Sequence, residues 1–570
     1  MGGEEDGAQR AGIVGSALRG ASLLASVQLL SRALTFVLNV GLTRHLEDPS
    51  LLGVSSVQLY LLYTVVLTLA REGVRRTCLR TAAARGDGPV AAHGQGAAAL
   101  ATRRDLVNLT WCAVLAGWAA TPLACQWFIW SADAAALEKI SMQDYRQSIW
   151  IVGLAIVTEL LSEPMFVAAQ GQLAYGRRSA IEALAVTARC LVTIGLVLAA
   201  KMGLQAFAFG YVAYAATLLL GYTAYFAQAS RTTGQNQELS PIWALHGLED
   251  LKPTDWLRVR DADLFQLAAS MSLQQVWKLV LAEGEKMVMV TLATDASDQA
   301  VYALVFNLGS LVARFVFLPI EEAAFAVFGK LNDLAKHGNT FADAPQSTTA
   351  RISPRVLVAL LCRAMTLLGL VFVAFGPSYA HFLIHFLYGE RWSEHTTAPQ
   401  VLGYYCVYVL VLAVNGVTEA YVHATANDAT LRRFNGWLFV FSVVYLASAA
   451  ALVQYRAPGL ILANSINMAM RIVFSVRYIV ATSGSSVTEL FPAATSLAAF
   501  ALAAIATHLS AGNLYANFAS WSRAAAHIGV GASALISLVA FLGLFAERPF
   551  VREVQAVRAE MSSSTKSKGL

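Results

Sequence analysis

Windows of about 20 apolar residues recur from one end of this chain to the other, each long enough to carry a helix through the hydrocarbon of a bilayer. They fall near 21–43, 51–70, 105–130, 147–169, 180–200, 204–227, 266–293, 299–328, 355–376, 398–424, 435–455, 458–480, 491–509 and 524–546, about fourteen in all. Strands of an outer-membrane barrel would be about half as long and would alternate in polarity, so these spans are helical. Composition agrees: 57% of the 570 residues are hydrophobic and 14% charged, against roughly 25% charged in soluble domains. The expectation is an all-α polytopic membrane protein.

Arginines and lysines of short loops orient such a chain. The link after span 2 carries Arg75, Arg76, Arg80, Arg85, Arg103 and Arg104, and those after spans 4 and 10 carry Arg177, Arg178, Arg432 and Arg433. These loops belong in the cytosol. The alternate loops, 43–50, 294–298 and 510–522, are poor in Lys and Arg, so an even number of spans leaves both termini cytosolic. The acidic start, "MGGEEDGAQR", lacks the basic n-region of a cleavable signal, and Asp6 breaks the myristoylation pattern. The six cysteines lie within or beside spans and contain no CxxC, so no disulfide framework is implied. Asn108-Leu-Thr110 matches a glycosylation sequon by chance, because it lies inside span 3. The net charge of +5 reflects loop asymmetry and makes no case for nucleic acid.

Polar residues inside the spans are not scattered. Gln28, Arg32, Thr35, Asn39 and Thr43 step by three or four residues and draw one stripe along span 1. Span 2 repeats the device with Thr64, Thr68, Arg71 and Arg75, and span 4 with Glu159, Glu163 and Gln170. In the second half, stripes run through Gln274, Lys278 and Glu285; Asn307, Arg314 and Glu321; Asn415, Glu419 and His423; and Asn464, Asn467 and Arg471. A charge at the membrane centre costs about 2.5–3.5 kcal/mol on insertion scales, and some are kept simply as ion pairs that hold a bundle together. Yet at least Arg32, Arg44, Arg71 and Arg471 have no acidic residue three or four positions away on their own helix. Their counter-charge must come from another helix or from a ligand.

Arginine keeps its proton at low dielectric and presents a planar fork that matches pairs of phosphate oxygens. Asn, Gln and Thr beside it suit sugar hydroxyls. The stripes therefore describe a cavity for an anionic, polyhydroxylated head group. Other chemistry falls away. Gly329-Lys330 is followed by Leu331, so there is no nucleotide-binding P-loop, and no cofactor is called for. His381 and His385 are four apart but lie outside any HExxH pattern, so no metal is expected. A membrane glycosyltransferase would want a long loop with catalytic carboxylates after span 1. This chain offers "RHLEDPS", in which Glu47 and Asp48 solvate a turn before Pro49.

The blocks "SRALTFVLN", "LAREGVRR", "TELLSEPMFVAAQ", "EGEKMVM", "NLGSLVARFVFLPIEEA" and "ANSINMAMRI" together resemble the Rft family. These are oligosaccharide-lipid translocation proteins of the endoplasmic reticulum, in the multidrug/oligosaccharidyl-lipid/polysaccharide exporter superfamily. The resemblance runs from Gln28 to Arg477. It implies a cytosolic segment 1–20, a six-span lobe over 21–228, a cytosolic linker 229–263, a second six-span lobe over 264–482, spans 13 and 14 within 483–546, and a cytosolic tail 547–570. The lobes are expected to rock around a central cavity. The implied substrate is a dolichyl-diphosphate heptasaccharide of mannose and N-acetylglucosamine, moved from the cytosolic to the luminal leaflet for N-glycosylation. Arg44, Arg71, Arg314 and Arg471 match the family's charged cavity positions, with one or both of Glu283 and Glu285. Arg32, Asn39 and Asn467 join them as substrate-binding residues by their stripes. Arg75, Glu321 and Glu322 match charged family positions and, with Glu159 and Glu163, are assigned structural roles. The alternatives are a non-transporting scaffold for glycosylation enzymes and an ion-coupled exporter of amphiphiles.

Two shorter signals complete the reading. Ala70-Arg71 and Ala313-Arg314 are placed alike in the two halves, as a duplicated bundle would have them. The chain ends "KSKGL", where Lys566 and Lys568 have the K-x-K-x-x spacing of a dilysine signal for retrieval to the endoplasmic reticulum.

Overall fold

The computed structural model describes residues 36–86, 95–172, 174–229, 247–254, 257–292, 294–337, 354–515 and 520–556. Arg32, Lys566 and Lys568 lie outside them. Among the described residues every regular element is helical, and the chain divides into two compact units, Met1–Ala300 and Val301–Leu570.

The first unit contains α1 (36–45), α2 (49–86), α3 (Gln95–Ser131), α4 (Met142–Leu160), α5 (Glu163–Gly171), α6 (Tyr175–Leu198), α7 (Leu204–Ala229) and α8 (Ala262–Thr291). Local chemistry sets the boundaries. Asp48 accepts from the Ser50 backbone N–H at 3.1 Å and caps α2, with Pro49 at its first position. Asp48 thus does more than solvate the turn. Ser141 caps α4 and Asp261 caps α8 in the same way. The expected fourth span is not one straight helix. It breaks between α4 and α5 with a bend of 41°, because Pro164 has no N–H to continue the ladder and Ser162 Oγ turns to the Glu159 carbonyl at 2.7 Å.

α8 follows the linker expected between the lobes, yet it packs along α2 inside the first unit. Gly73 permits this: a Cβ there would stand 2.5 Å from the Ser272 Cα and 2.6 Å from its backbone N. Part of that linker is itself built in. Trp111 donates to the Leu251 carbonyl at 2.8 Å, the Asn108 amide donates to the Arg258 carbonyl at 3.0 Å, and Asp105 accepts from the Arg260 N–H at 3.1 Å. Leu251 and Leu264 join Leu106, Leu109, Phe166 and Phe226 in one apolar core. The sequon asparagine is therefore consumed by a structural contact.

The second unit holds most of α9 (296–337), then α10 (Pro354–Tyr388), α11 (Ala398–Thr425), α12 (Asp428–Leu452), α13 (Arg456–Ser483), α14 (Ala494–Ser510) and α15 (Trp521–Phe541). α11 lies at its centre, packed by α9, α10 and α13. α14 and α15 lean on α10 through Ala374, Phe500, Ala503 and Leu538. Buried Glu547 fastens them: it pairs with Arg363 of α10 at 2.6 Å and accepts from Ser496 Oγ at 2.5 Å. In the turn before α14, two hydrogen bonds from Arg355, at 3.0 and 3.1 Å, hold the Glu489 carboxyl below the usual carboxylate range.

Ten helices of the described residues are long and apolar enough to cross a membrane, and eleven if α4 and α5 form one span. The count of fourteen is not reached for identifiable reasons. Only 36–45 of the first span is described, α8 carries Asp263, Lys278, Glu283, Glu285 and Lys286, and α12 and α13 run together as one apolar stretch. Leucine, valine, isoleucine and tryptophan side chains cover the outer faces, among them Leu123, Trp130 and Ile536. Such an apolar exterior is what lipid requires of a bundle.

Candidate functional site

Two charge clusters lie inside these bundles, one in each unit. In the first, the bend between α4 and α5 aims Glu159 and Glu163 at α2. Both acids are buried, Glu163 completely. Arg71 donates to Glu159 at 2.6 Å and stands 3.9 Å from Glu163. Arg75 grips Glu163 with two prongs, Nε at 2.5 Å and Nη2 at 2.7 Å, and reaches Glu72 at 3.3 Å. The Phe166 ring lies 3.7 Å from the Arg75 guanidinium and 4.6 Å from that of Arg178. Tyr63 donates to Glu159. The missing counter-charges of span 2 thus come from another helix. One group is left over: the Arg71 Nε is buried with no hydrogen-bond partner.

In the second unit, α9, α11 and α13 enclose a cleft of about 680 Å³ lined by Arg314, Glu321, Glu322, Asn415, Glu419, His423 and Arg471 among apolar side chains. Arg471 Nη2 donates to both oxygens of Glu419, at 2.5 and 2.6 Å. The Asn415 amide donates to Glu419 at 3.0 Å, and His423 Nε2 lies 3.4 Å from it. The Arg471 Nε and the Asn415 Oδ1 are buried without partners. Arg314 is exposed into the cleft and makes no ion pair or hydrogen bond among the described residues. Glu321 is seated against Gly416, where a Cβ would overlap its carboxylate. Three carboxylates and two arginines therefore face one space. The cleft therefore presents individually placed donors and acceptors rather than a bulk positive field.

The other expected residues are placed as follows. Asn39 is exposed on α1, with its Oδ1 4.0 Å from the Cys190 Sγ of α6. Arg44 is exposed at the end of α1 and Asn467 is half-buried on α13. Glu283 and Glu285 are both buried on α8. Glu283 pairs with Lys286 at 2.6 Å and accepts from Tyr60 at 3.2 Å, while Lys286 lies 4.2 Å from the Tyr60 ring. His381 and His385 do not converge: their rings stack 6.4 Å apart, one 3.0 Å from Glu394 and the other bonded to Ser393 at 2.9 Å. Sequence reasoning missed Lys286 and Arg189, whose guanidinium lies 3.8 Å from the Tyr211 ring. Arg189 was discoverable, as the one cation inside "VTARCLVTIGLVL".

Apolar spans, ion pairs between them and an open cleft define the class as a polytopic helical membrane protein. The fold is similar to that of the solved lipid II flippase MurJ in an inward closed conformation, with a TM-score of 0.51 at 11% identity over 91% of this chain and 98% of that one. The family model described as Rft protein matches residues 16–556, and the chain belongs to that family. It is 34% identical to the Man(5)GlcNAc(2)-PP-dolichol translocation protein RFT1 of Xenopus tropicalis, over 80% of this chain and 81% of the relative. It is 28% identical to the protein of the same name from Dictyostelium discoideum, over 93% and 95%.

Proposed function

We propose that this protein moves a dolichyl-diphosphate-linked oligosaccharide of mannose and N-acetylglucosamine from the cytosolic to the luminal leaflet of the endoplasmic reticulum, for use in N-glycosylation. The names of its relatives support the substrate class. The observation that carries the reading is the cleft of the second unit, where among the described residues Arg314 makes no ion pair and the Arg471 Nε has no hydrogen-bond partner. A diphosphate supplies paired anionic oxygens that accept hydrogen bonds from a guanidinium edge. Glu321, Glu322 and Asn415 offer acceptors and donors to sugar hydroxyls.

The isoprenoid chain stays in lipid while the head group occupies the wet cleft, which spares phosphate and sugar the cost of entering hydrocarbon. The site is exposed to the two leaflets in turn. Both termini lie in the cytosol, as the loop arginines require. The protein acts as a transporter, not an enzyme, and no covalent bond changes. Arg71, Arg75, Glu159 and Glu163 form a structural network that fixes α2 against α4 and α5.

Reconstitution tests this. Purified protein in liposomes with lipid-linked oligosaccharide is expected to expose inner-leaflet sugar to an external mannosidase faster than empty liposomes do. Folded protein that leaves the inner pool protected would refute direct translocation and favour a supporting role in the same pathway.

A further inference from the structure

Glu419 is occupied by one arginine of the cleft while another, Arg314, stands in the same space without an ion pair among the described residues. Arg471 contributes only Nη2 to the carboxylate. Its Nη1 faces the Met468 sulfur at 3.7 Å, and its Nε is unsatisfied. Arg314 is carried by a π-helical stretch, Ala313–Phe317, within α9. Such stretches insert a residue into the helical turn and are frequent at functional positions; of the five among the described residues, only this one and one in the first unit carry an arginine.

The first unit contains the counterpart. Arg71 is also carried by a π-helical stretch, Thr68–Glu72, within α2. It donates at 2.6 Å to Glu159 of α4, two spans further along the chain. α11 follows α9 by the same interval, and Glu419 lies on it. In one unit, then, the arginine of the π-helical stretch holds the glutamate. In the other, the corresponding glutamate has gone to Arg471.

We propose that Glu419 is an exchangeable carboxylate, passing from Arg471 to Arg314 when a diphosphate engages Arg471. This rests on the head-group reading above and assigns the two cleft arginines different tasks. Phosphate oxygens that engage the Arg471 guanidinium compete with and repel the carboxylate already on its Nη2. A half-buried carboxylate inside an apolar bundle is costly in its turn when it loses its cation. Arg314 resolves the conflict by receiving Glu419. Asn415 and His423, four residues to either side of Glu419 on α11, keep the carboxylate hydrogen-bonded during the exchange. Glu321 and Glu322 follow Arg314 on its own helix and make no ion pair with it among the described residues, so they leave it available.

The test measures binding of farnesyl diphosphate to the purified full-length protein. Arg471→Gln should weaken binding about tenfold or more, the worth of a lost charge-assisted pair of hydrogen bonds. Glu419→Gln should tighten it, because Arg471 is released. Arg314→Gln should weaken it, and Arg314→Gln/Glu419→Gln should return to the Glu419→Gln level. Because a carboxylate can be received by a point charge, Arg314→Lys should bind within about twofold of wild type, whereas a direct phosphate ligand would lose its fork. That conservative variant keeps the test open if Glu419→Gln does not accumulate. A double variant as weak as Arg314→Gln, or an Arg314→Lys as weak as Arg471→Gln, would overturn the exchange while leaving the head-group site standing. Wild-type protein that does not bind farnesyl diphosphate would remove the site and the exchange together.

Discussion

Glu163→Gln tests whether the first unit is held together by its buried charges. The Glu163 carboxylate is fully buried, receives two prongs of Arg75 at 2.5 and 2.7 Å and lies 3.9 Å from Arg71. Glutamine keeps the shape and removes the charge, leaving two guanidinium groups to share Glu159 and the more exposed Glu72. Removing one partner of a buried ion pair costs about 3–5 kcal/mol. Glu159→Gln should cost less, about 1.5–3 kcal/mol, because Arg71 still has Glu163 within reach and loses one charged hydrogen bond. Arg75→Gln/Glu163→Gln should recover part of the loss by removing both charges. The assay is the amount and melting temperature of the fluorescently tagged full-length protein after detergent extraction, read by size-exclusion chromatography. A Glu163→Gln protein that accumulates and melts like wild type would show that the network does not stabilise the bundle. So would a double variant worse than the sum of its singles.

Three further outcomes are expected. Arg471→Lys should support glycosylation in a depleted cell little better than Arg471→Ala, since an ammonium cannot replace the guanidinium edge; full complementation by Arg471→Lys would mean that charge alone suffices. Gly73→Ala should lower abundance by a cost of about 1–3 kcal/mol, because its Cβ meets the backbone of Ser272, whereas Gly416→Ala should leave abundance near wild type, because only the flexible end of Glu321 must shift; equal abundance of the two variants would refute the close packing of α2 on α8. Changing Lys566 and Lys568 to Ser should let part of the protein reach the Golgi, and unchanged reticular staining would show that the tail is not the address.

The helical class and the positions of the long helices were legible because a 20-residue apolar window has few other uses. Polar residues were legible as stripes for the same reason, since lipid does not tolerate them at random. What stayed hidden was partnership. Glu159 and Glu163 look alike in sequence, but the break at Pro164 gives each its own arginine. Glu419 sits four residues from both Asn415 and His423, yet its cation comes from α13, which no spacing rule on one helix can reveal. Lys286 was hidden by the opposite error. Its neighbour Glu283 was recognised only through family blocks, so the cation three residues on was never weighed.

The repeated Ala-Arg dipeptide shows how a weak sequence signal becomes a structural one. Ala70-Arg71 and Ala313-Arg314 are two residues each, short enough to recur by chance. Both fall within π-helical stretches, Thr68–Glu72 and Ala313–Phe317, inside long helices; Pro319, two residues past the second stretch, has no N–H to offer the Phe315 carbonyl within it. Composition does not announce a π turn, so this agreement is independent of the dipeptide. An extra residue in the turn shifts the arginine away from the 3.6-residue register of its stripe; three other π-helical stretches among the described residues, Val54–Leu59, Ala511–Tyr515 and Leu542–Ala546, carry no charged side chain. In the first unit the distortion delivers Arg71 to Glu159; in the second it leaves Arg314 in the cleft with its charge unspent. In the second unit the corresponding glutamate, Glu419, is held instead by Arg471 of α13.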